Sequence, residues 1–179
     1  MPEIAKGHRD PRDGMRVAAA RLRVAFVSGL GGFLVIFALS QLGSNLHIAL
    51  LVAPFGASCV LVFALPLSPL AQPRNVIGGH LISSTVGVVI LAALGHSPLA
   101  YGVAVGLAIA AMQATDTLHP PAGADPIVVL ATGASWSFLA LPILVGSTTI
   151  VAAAYVFHRW ISGRGYPLHP SLSTATSAR

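Results

Sequence analysis

The sequence predicts an all-α membrane protein built as two internal repeats, inverted relative to each other. Each repeat is a helix, a broken half-helix segment and a helix, giving about six membrane segments. Three observations carry that reading. The 179 residues are 55% hydrophobic and only 8% charged, with a mean hydropathy of +0.80, whereas soluble domains carry roughly 25% charged residues. Between Val24 and His158 the only Lys, Arg, Asp or Glu residues are Arg74, Asp116 and Asp125. Finally, the stretch Pro54-Phe55-Gly56-Ala57-Ser58 has a counterpart, Pro121-Ala122-Gly123-Ala124-Asp125, 67 positions further on.

Taken in order, residues 1–23 hold Lys6, Arg9, Arg12, Arg16, Arg21 and Arg23. They read as a basic cytoplasmic segment that turns helical toward Arg21, since cations flanking a span stay inside and contact anionic headgroups. No nucleic-acid partner is expected, because no basic patch is interleaved with aromatics. The basic stretch is too long for a cleavable signal peptide, and the apolar run after it continues through Leu39. Cys59 stands alone, which excludes disulfides within the chain and thiolate metal clusters.

The first apolar run, Val24 to Leu42, is of helix length, and Gly43-Ser44-Asn45 separates it from a second, Leu46 to Leu67. That second run is interrupted at Ala53-Pro54-Phe55-Gly56. Proline there removes a backbone donor and clashes with the preceding turn, so the helix should break near mid-membrane. Residues 66–75, with three prolines and Arg74, form a turn before the third run, Val76 to Leu94, which ends at Gly95-His96-Ser97-Pro98. The fourth run, Leu99 to Ala114, carries Gly102 and Gly106; Gly79, Ser83 and Gly87 repeat that spacing on the third. Both stripes are read as packing faces. The polar island 115–126 with Ile127 to Ala131 makes the second broken segment, and Phe138 to Phe157 the last run. Trp136 and Trp160 flank it as interface anchors. From Gly163 the polar tail lacks periodicity and reads as disordered. One transmembrane domain therefore spans 24–160, with repeat halves 24–95 and 98–158, between the basic segment 1–23 and a tail, 161–179.

Continuing the same offset places Val62 on Val129, Ala64 on Ala131, Ser68 on Ser135 and Gly79 on Gly146, so the two Pro-x-Gly-Ala breaks fall in register. Three crossings per half invert the halves. With both termini cytoplasmic, this puts Arg74, Arg159 and Arg164 inside, and the outside turns 43–45, 95–98 and 132–137 carry no Lys or Arg. The competing topology has four crossings and two re-entrant loops; it makes the halves parallel and puts Arg74 outside.

Irregular backbone at membrane depth needs protein or a watery cavity to satisfy it. Two breaks in matching positions therefore point to a transporter's binding site. Small residues follow each break, Gly56-Ala57-Ser58 and Gly123-Ala124-Asp125. Pro54 and Pro121 suit a first helical turn, where a missing N–H costs little. The amides of such starts carry the positive end of the helix dipole and suit a small anion or a carbonyl-like dipole.

The stretch APFGASCVLVFALPLSPLAQPRNVIGGH (53–80), followed by TLHPPAGADP (117–126), resembles the HPP family of integral membrane proteins. That family is named for a His-Pro-Pro such as His119-Pro120-Pro121, and the resemblance covers nearly all of residues 24–160. Plant members are implicated in nitrite movement across the chloroplast envelope, and bacterial members are similar to small-anion permeases. The resemblance implies a transporter or channel for nitrite, not an enzyme, without a cofactor, in a bacterial inner membrane. The residues alone imply a small polar solute, anionic in character.

The expected pore or substrate-binding set is Pro54, Phe55, Gly56, Ala57, Ser58, Arg74, Asn75, His80, His119, Pro120, Pro121, Gly123, Ala124 and Asp125. His119 can donate to an anion or carry a proton, its unperturbed pKa being about 6.5, or it can cap a freed carbonyl. His80 either lines the path or is silent, like the neighbouring Ser83, Ser84 and Thr85 and the repeat-related Ser147, Thr148 and Thr149. Such hydroxyls are expected mostly to bond their own helix carbonyls. Arg74 either gathers anions at the inner mouth or pairs with Asp116, the latter being favoured. Asp125 would be stabilised by the helix dipole, yet would repel an anion. It therefore faces away, is protonated during transport, or the solute is not an anion. The alternative function is an intramembrane metal- or redox-binding protein using His80 and His119. Against it stands the absence of an HExxH or bis-His spacing and of a nucleophile beside a base. Expected partners are nitrite or another small anion, protons, membrane lipid and further copies of this chain.

Overall fold

The computed structural model describes residues 11–168, with side chains from Gly14 onward. Residues 1–10 of the expected basic segment and 169–179 of the expected tail lie outside the described residues. All regular structure among the described residues is helical. Helix α1 (Pro11–Leu46) runs unbroken for 36 residues. At 1.5 Å per residue it is about 54 Å long, against about 30 Å of hydrocarbon. The expected boundary at residue 23 is therefore not a structural one: Ala, Arg and Leu are strong helix formers and carry the helix through the basic stretch.

After Leu46 the chain turns and is extended at Val52 (φ −125°, ψ 147°) before α2 (Ala53–Cys59), which continues as a π-helical turn over Val60–Ala64. The break stands where Pro54 predicts it, with the proline in the first turn of the short helix. Helix α3 (Pro73–Leu94) and helix α4 (Pro98–Ala114) follow, the latter capped by Ser97 Oγ, which accepts from the Ala100 amide at 3.1 Å. The second broken segment is a 3₁₀ turn (Pro120–Ala124) leading into α5 (Asp125–Thr132), stopped by Gly133 at φ +65°. A π-helical stretch, Leu139–Leu144, kinks at Leu141 ahead of Pro142; α6 (Val145–Phe157) and a last π turn (His158–Ser162) complete the chain's final helix. Among the described residues, three helices are long and apolar enough to cross a membrane: Gly14–Leu46, Pro73–Leu94 and Leu139–Ser162.

Contacts define two ends. At one, Arg74 lies 3.8 Å from Asp116 and donates to the Thr115 carbonyl at 2.7 Å, while Asn75 donates to the Leu118 carbonyl at 2.9 Å. At the same end, Gly163–Leu168 is docked, where the sequence suggests disorder. Arg164 donates to the Ala64 carbonyl, the Tyr166 hydroxyl to the Ala71 carbonyl and the Leu168 amide to Gln72 Oε1. Burial pushes the Tyr166 hydroxyl above its ordinary range, which keeps it a donor. At the opposite end, residues 48–53 and 132–142 line one cavity of about 730 Å³. His96 there lies 3.8 Å from where a Gly133 Cβ would stand.

The main core joins α1, α2 and α6 through Val35, Leu39, Phe55, Phe63, Ile150 and Phe157; a smaller one joins Ile90 of α3, Ala100 and Ala104 of α4 and Leu130 of α5. Helix α3 sits between them and presents its small-residue stripe inward. A Cβ at Gly79 would stand 2.7 Å from His119 Cβ, and one at Gly87 would stand 2.9 Å from Pro126 Cα. The stripe on α4 behaves otherwise. Nothing lies within 4 Å of a Cβ at Gly102 or Gly106, so the expected packing face there is open, and Ala100, Ala104, Ala108 and Met112 pack instead. Outward-facing Phe26 (74% exposed), Phe33 (61%) and Trp160 (78%) form the kind of apolar exterior that lipid, not water, accommodates.

Candidate functional site

At the junction of the two broken segments, four side chains from four elements form one hydrogen-bonded line. His119, in the extended stretch before the second 3₁₀ turn, points Nδ1 at the Leu70 carbonyl, 2.8 Å away. Its Nε2 lies 2.8 Å from Ser58 Oγ on α2. The same oxygen lies 2.8 Å from Nε2 of His80, on the second turn of α3. His80 Nδ1 in turn meets Asp125 Oδ2 at 2.7 Å, at the start of α5. All four side chains are fully buried. A buried polar group costs several kcal/mol unless hydrogen-bonded, so the line persists only because its members satisfy one another.

Local sequence explains the placement. Pro54 starts α2 and leaves its carbonyl 3.2 Å from Ser58 Oγ, one turn on, while Phe55 packs edge-on against His80 with centroids 5.2 Å apart. Gly79 lets the Thr117 carbonyl and the His119 Cβ close on α3, and Ser83 donates across to the Ala122 carbonyl at 2.6 Å, pinning the 3₁₀ turn. The two repeat-related positions Ser58 and Asp125 both bond His80. Gly146, at the offset position of Gly79, is likewise closed by the other broken segment, here through the Phe55 ring.

Several expected site residues lie elsewhere. Gly56 faces a groove of about 310 Å³ against α1 and Ala57 is exposed, so the start of α2 does not open on the centre. Pro120 is exposed, and Pro121, Gly123 and Ala124 are half-buried within the 3₁₀ turn, whose Ala122 carbonyl takes the Asp125 amide. Side chains, not two bare helix starts, build the centre. Arg74 and Asn75 sit at the first end, Arg74 in the favoured pair with Asp116, whose side chains are 65% and 85% exposed. None of the five cavities and grooves described along the molecule is lined by Ser58, His80, His119 or Asp125.

One expectation is overturned outright. A nucleophile does stand beside a base: Ser58, His80 and Asp125 are in the order of a hydrolase triad, assembled from residues too far apart in sequence to be read as a motif. Thr85, Ser147 and Thr149 bond their own helix carbonyls as expected, but Ser84 does not. Its Oγ and Asp125 Oδ1 are buried without a partner. Ser84 follows His80 by one turn on the same helix face, a spacing that could have singled it out. His158, which the sequence reading passes over, is fully buried and bridges the Val62 carbonyl at 3.0 Å and Ser162 Oγ at 2.6 Å; nothing in its local sequence marks it.

Comparison with known proteins adds a family. The family model described as HPP, transmembrane region, matches residues 17–167. One Dictyostelium discoideum protein, named only as a transmembrane protein, is 41% identical over 127 residues, which covers 66% of this chain and 45% of that protein. A second from the same organism, named likewise, is 38% identical over 126 residues, covering 66% and 40%. The chain thus spans less than half the length of these curated relatives. No solved structure matches it. The family model covers most of the chain and its relatives are transmembrane proteins, so this chain belongs to the HPP transmembrane family and is an integral membrane protein.

Proposed function

We propose that the chain is a membrane transporter or channel for a small anion, nitrite foremost, whose central site is the line His119–Ser58–His80–Asp125. The observation that carries this reading is a fully buried array of two imidazoles, a hydroxyl and a carboxylate where two interrupted segments meet. Intramembrane ionisable groups are costly and by default mark a solute or proton path. Imidazole N–H and serine O–H are suitable donors for a small oxyanion. In this conformation the array is closed, which favours a gated carrier over an open pore. The two ends described above favour six crossings, because each segment connects one end with the other. An extended residue advances about 3.3 Å and a helical one about 1.5 Å, so each broken segment has length enough to cross. The end holding Arg74, Arg159 and Arg164 is then cytoplasmic, with both termini on that side. Lipid contact and assembly with further copies of the chain belong to the same proposal.

Liposomes holding the purified protein should take up nitrite faster than empty ones, and His119→Ala should reduce that uptake at least about tenfold, the loss of one charge-assisted hydrogen bond. Equal uptake by empty and loaded vesicles, with protein shown to be folded, would refute the reading. A second reading rests on the triad order of Ser58, His80 and Asp125: an intramembrane hydrolase. Against it, Ser58 Oγ is occupied by His119 on its other side. Labelling of Ser58 by a fluorophosphonate would favour it over transport. Metal binding by the two histidines is disfavoured by the use of all four ring nitrogens, on Asp125, Ser58 and Leu70.

A further inference from the structure

We infer that the array stores one proton beyond those its neutral imidazoles, hydroxyl and carboxylate supply, and that this proton is relayed between the two histidines through Ser58. The proton follows from a count of hydrogens. The Leu70 carbonyl can only accept, so His119 Nδ1 must carry a hydrogen. One hydrogen must lie between His80 Nδ1 and Asp125 Oδ2. Ser58 has a single hydroxyl hydrogen, yet its oxygen lies 2.8 Å from both Nε2 atoms. Whichever Nε2 that hydrogen takes, the other must itself be protonated; turned instead to the longer contact, the Pro54 carbonyl at 3.2 Å, it would require both to be. Two neutral imidazoles, one hydroxyl and an ionised carboxylate hold three hydrogens between them, and these four contacts need at least four.

The fourth hydrogen makes the array electrically neutral. It sits as an imidazolium on His119 or His80 opposite the Asp125 carboxylate, or as a protonated Asp125 beside a His80 that carries its hydrogen on Nε2. Neutrality is what complete burial demands, since an uncompensated charge is far costlier than a paired one. No other charge can supply it: apart from Asp125, Arg74 and Asp116 are the only charged residues between Val24 and His158, and they pair with each other at the exposed end. Elements around the array contribute Phe55, Ser83 and Ser84, none of them charged, and Cys59 turns toward Gly32 of α1.

The geometry also provides the transfer. As His119 Nε2 gives its hydrogen to Ser58 Oγ, the hydroxyl hydrogen passes to His80 Nε2, and the positive charge moves from His119 to the His80–Asp125 pair. His119 lies toward the end marked by Leu70, and Asp125 lies deeper. Beyond it stand the two buried atoms without a hydrogen-bond partner, Asp125 Oδ1 and Ser84 Oγ, where the next acceptor would have to enter. This also resolves the repulsion that Asp125 raises: a neutral, proton-loaded array does not repel an anion, and an anion leaving with the stored proton leaves a net negative array behind.

Coupling to an anion rests on the transporter reading; the stored proton does not. The direct test is the wild-type protein in lipid nanodiscs near neutral pH, by ¹⁵N-histidine NMR and by infrared spectroscopy with ¹³C-aspartate labelling. Expected is either one ring doubly protonated, or a protonated-carboxyl band that Asp125→Asn removes together with a His80 ring protonated on Nε2. Two singly protonated rings, both Nδ1–H, with every aspartate ionised would overturn the inference, and this needs no variant to fold. In vesicles, nitrite uptake should carry one proton per anion, read by a trapped pH dye, and Ser58→Ala should lower that ratio or abolish uptake. Nitrite uptake with the unloaded spectrum sinks the relay and leaves the transporter; the loaded spectrum without uptake supports the stored proton and sinks the transporter.

Discussion

Helices α3 and α4 carry the same spacing of small residues and use it differently. On α3, Gly79, Ser83 and Gly87 face the second broken segment: Gly79 admits the Thr117 carbonyl and the His119 Cβ, Ser83 holds the Ala122 carbonyl, and Gly87 admits Pro126. On α4, Gly102 and Gly106 face nothing among the described residues, and the alanine row on the other side of the helix makes the contacts. The spacing allows close approach; what approaches is decided by which neighbour the topology brings. On α3 that neighbour is the polar backbone that carries His119 and Asp125, so the stripe sets the distance across which the buried array closes.

The comparison can be broken by adding single methyl groups. The largest effect is expected for Gly79→Ala, whose Cβ would lie 2.7 Å from His119 Cβ and 2.8 Å from the Thr117 carbonyl oxygen. Overpacking against backbone costs about 3 kcal/mol or more, so thermal unfolding in detergent should shift strongly downward and any nitrite uptake should vanish with the displaced His119. Gly87→Ala meets Pro126 Cα at 2.9 Å and Val129 Cβ at 3.1 Å, and should cost about 1–3 kcal/mol in the same assay, with the array intact once folded. Smallest is the double change Gly102→Ala with Gly106→Ala. Open space surrounds both positions, so helix propensity should raise stability by up to about 1 kcal/mol per site; a marked loss would show that this face is closely packed in the protein as it exists in the membrane.

Much of the fold was open to reading in the chain. The near absence of charge forces a membrane setting, and Pro54 and the His119-Pro120-Pro121 run break helices wherever they are placed, because a missing donor and a ring clash are local facts. The pairing of Arg74 with Asp116 followed from their being the available partners on one side. Other features were not open to it. The docking of Gly163–Leu168 depends on carbonyls left free at Ala64 and Ala71, near the end of α2 and in the turn after it. The triad order of Ser58, His80 and Asp125 depends on three elements converging. Ser84 differs from its silent neighbour Thr85 in lying on the same face as His80.

Local chemistry in the chain thus fixed the solvent, the helices and the places where they fail, since hydropathy and proline sterics act on a residue and its near neighbours. Which polar groups share a hydrogen was settled by folding. A hydrogen-bonded line of His119, Ser58, His80 and Asp125 exists only when four elements bring each polar side-chain atom to within about 3 Å of the next, and its demand for an additional proton belongs to the assembled array, not to any one of its residues.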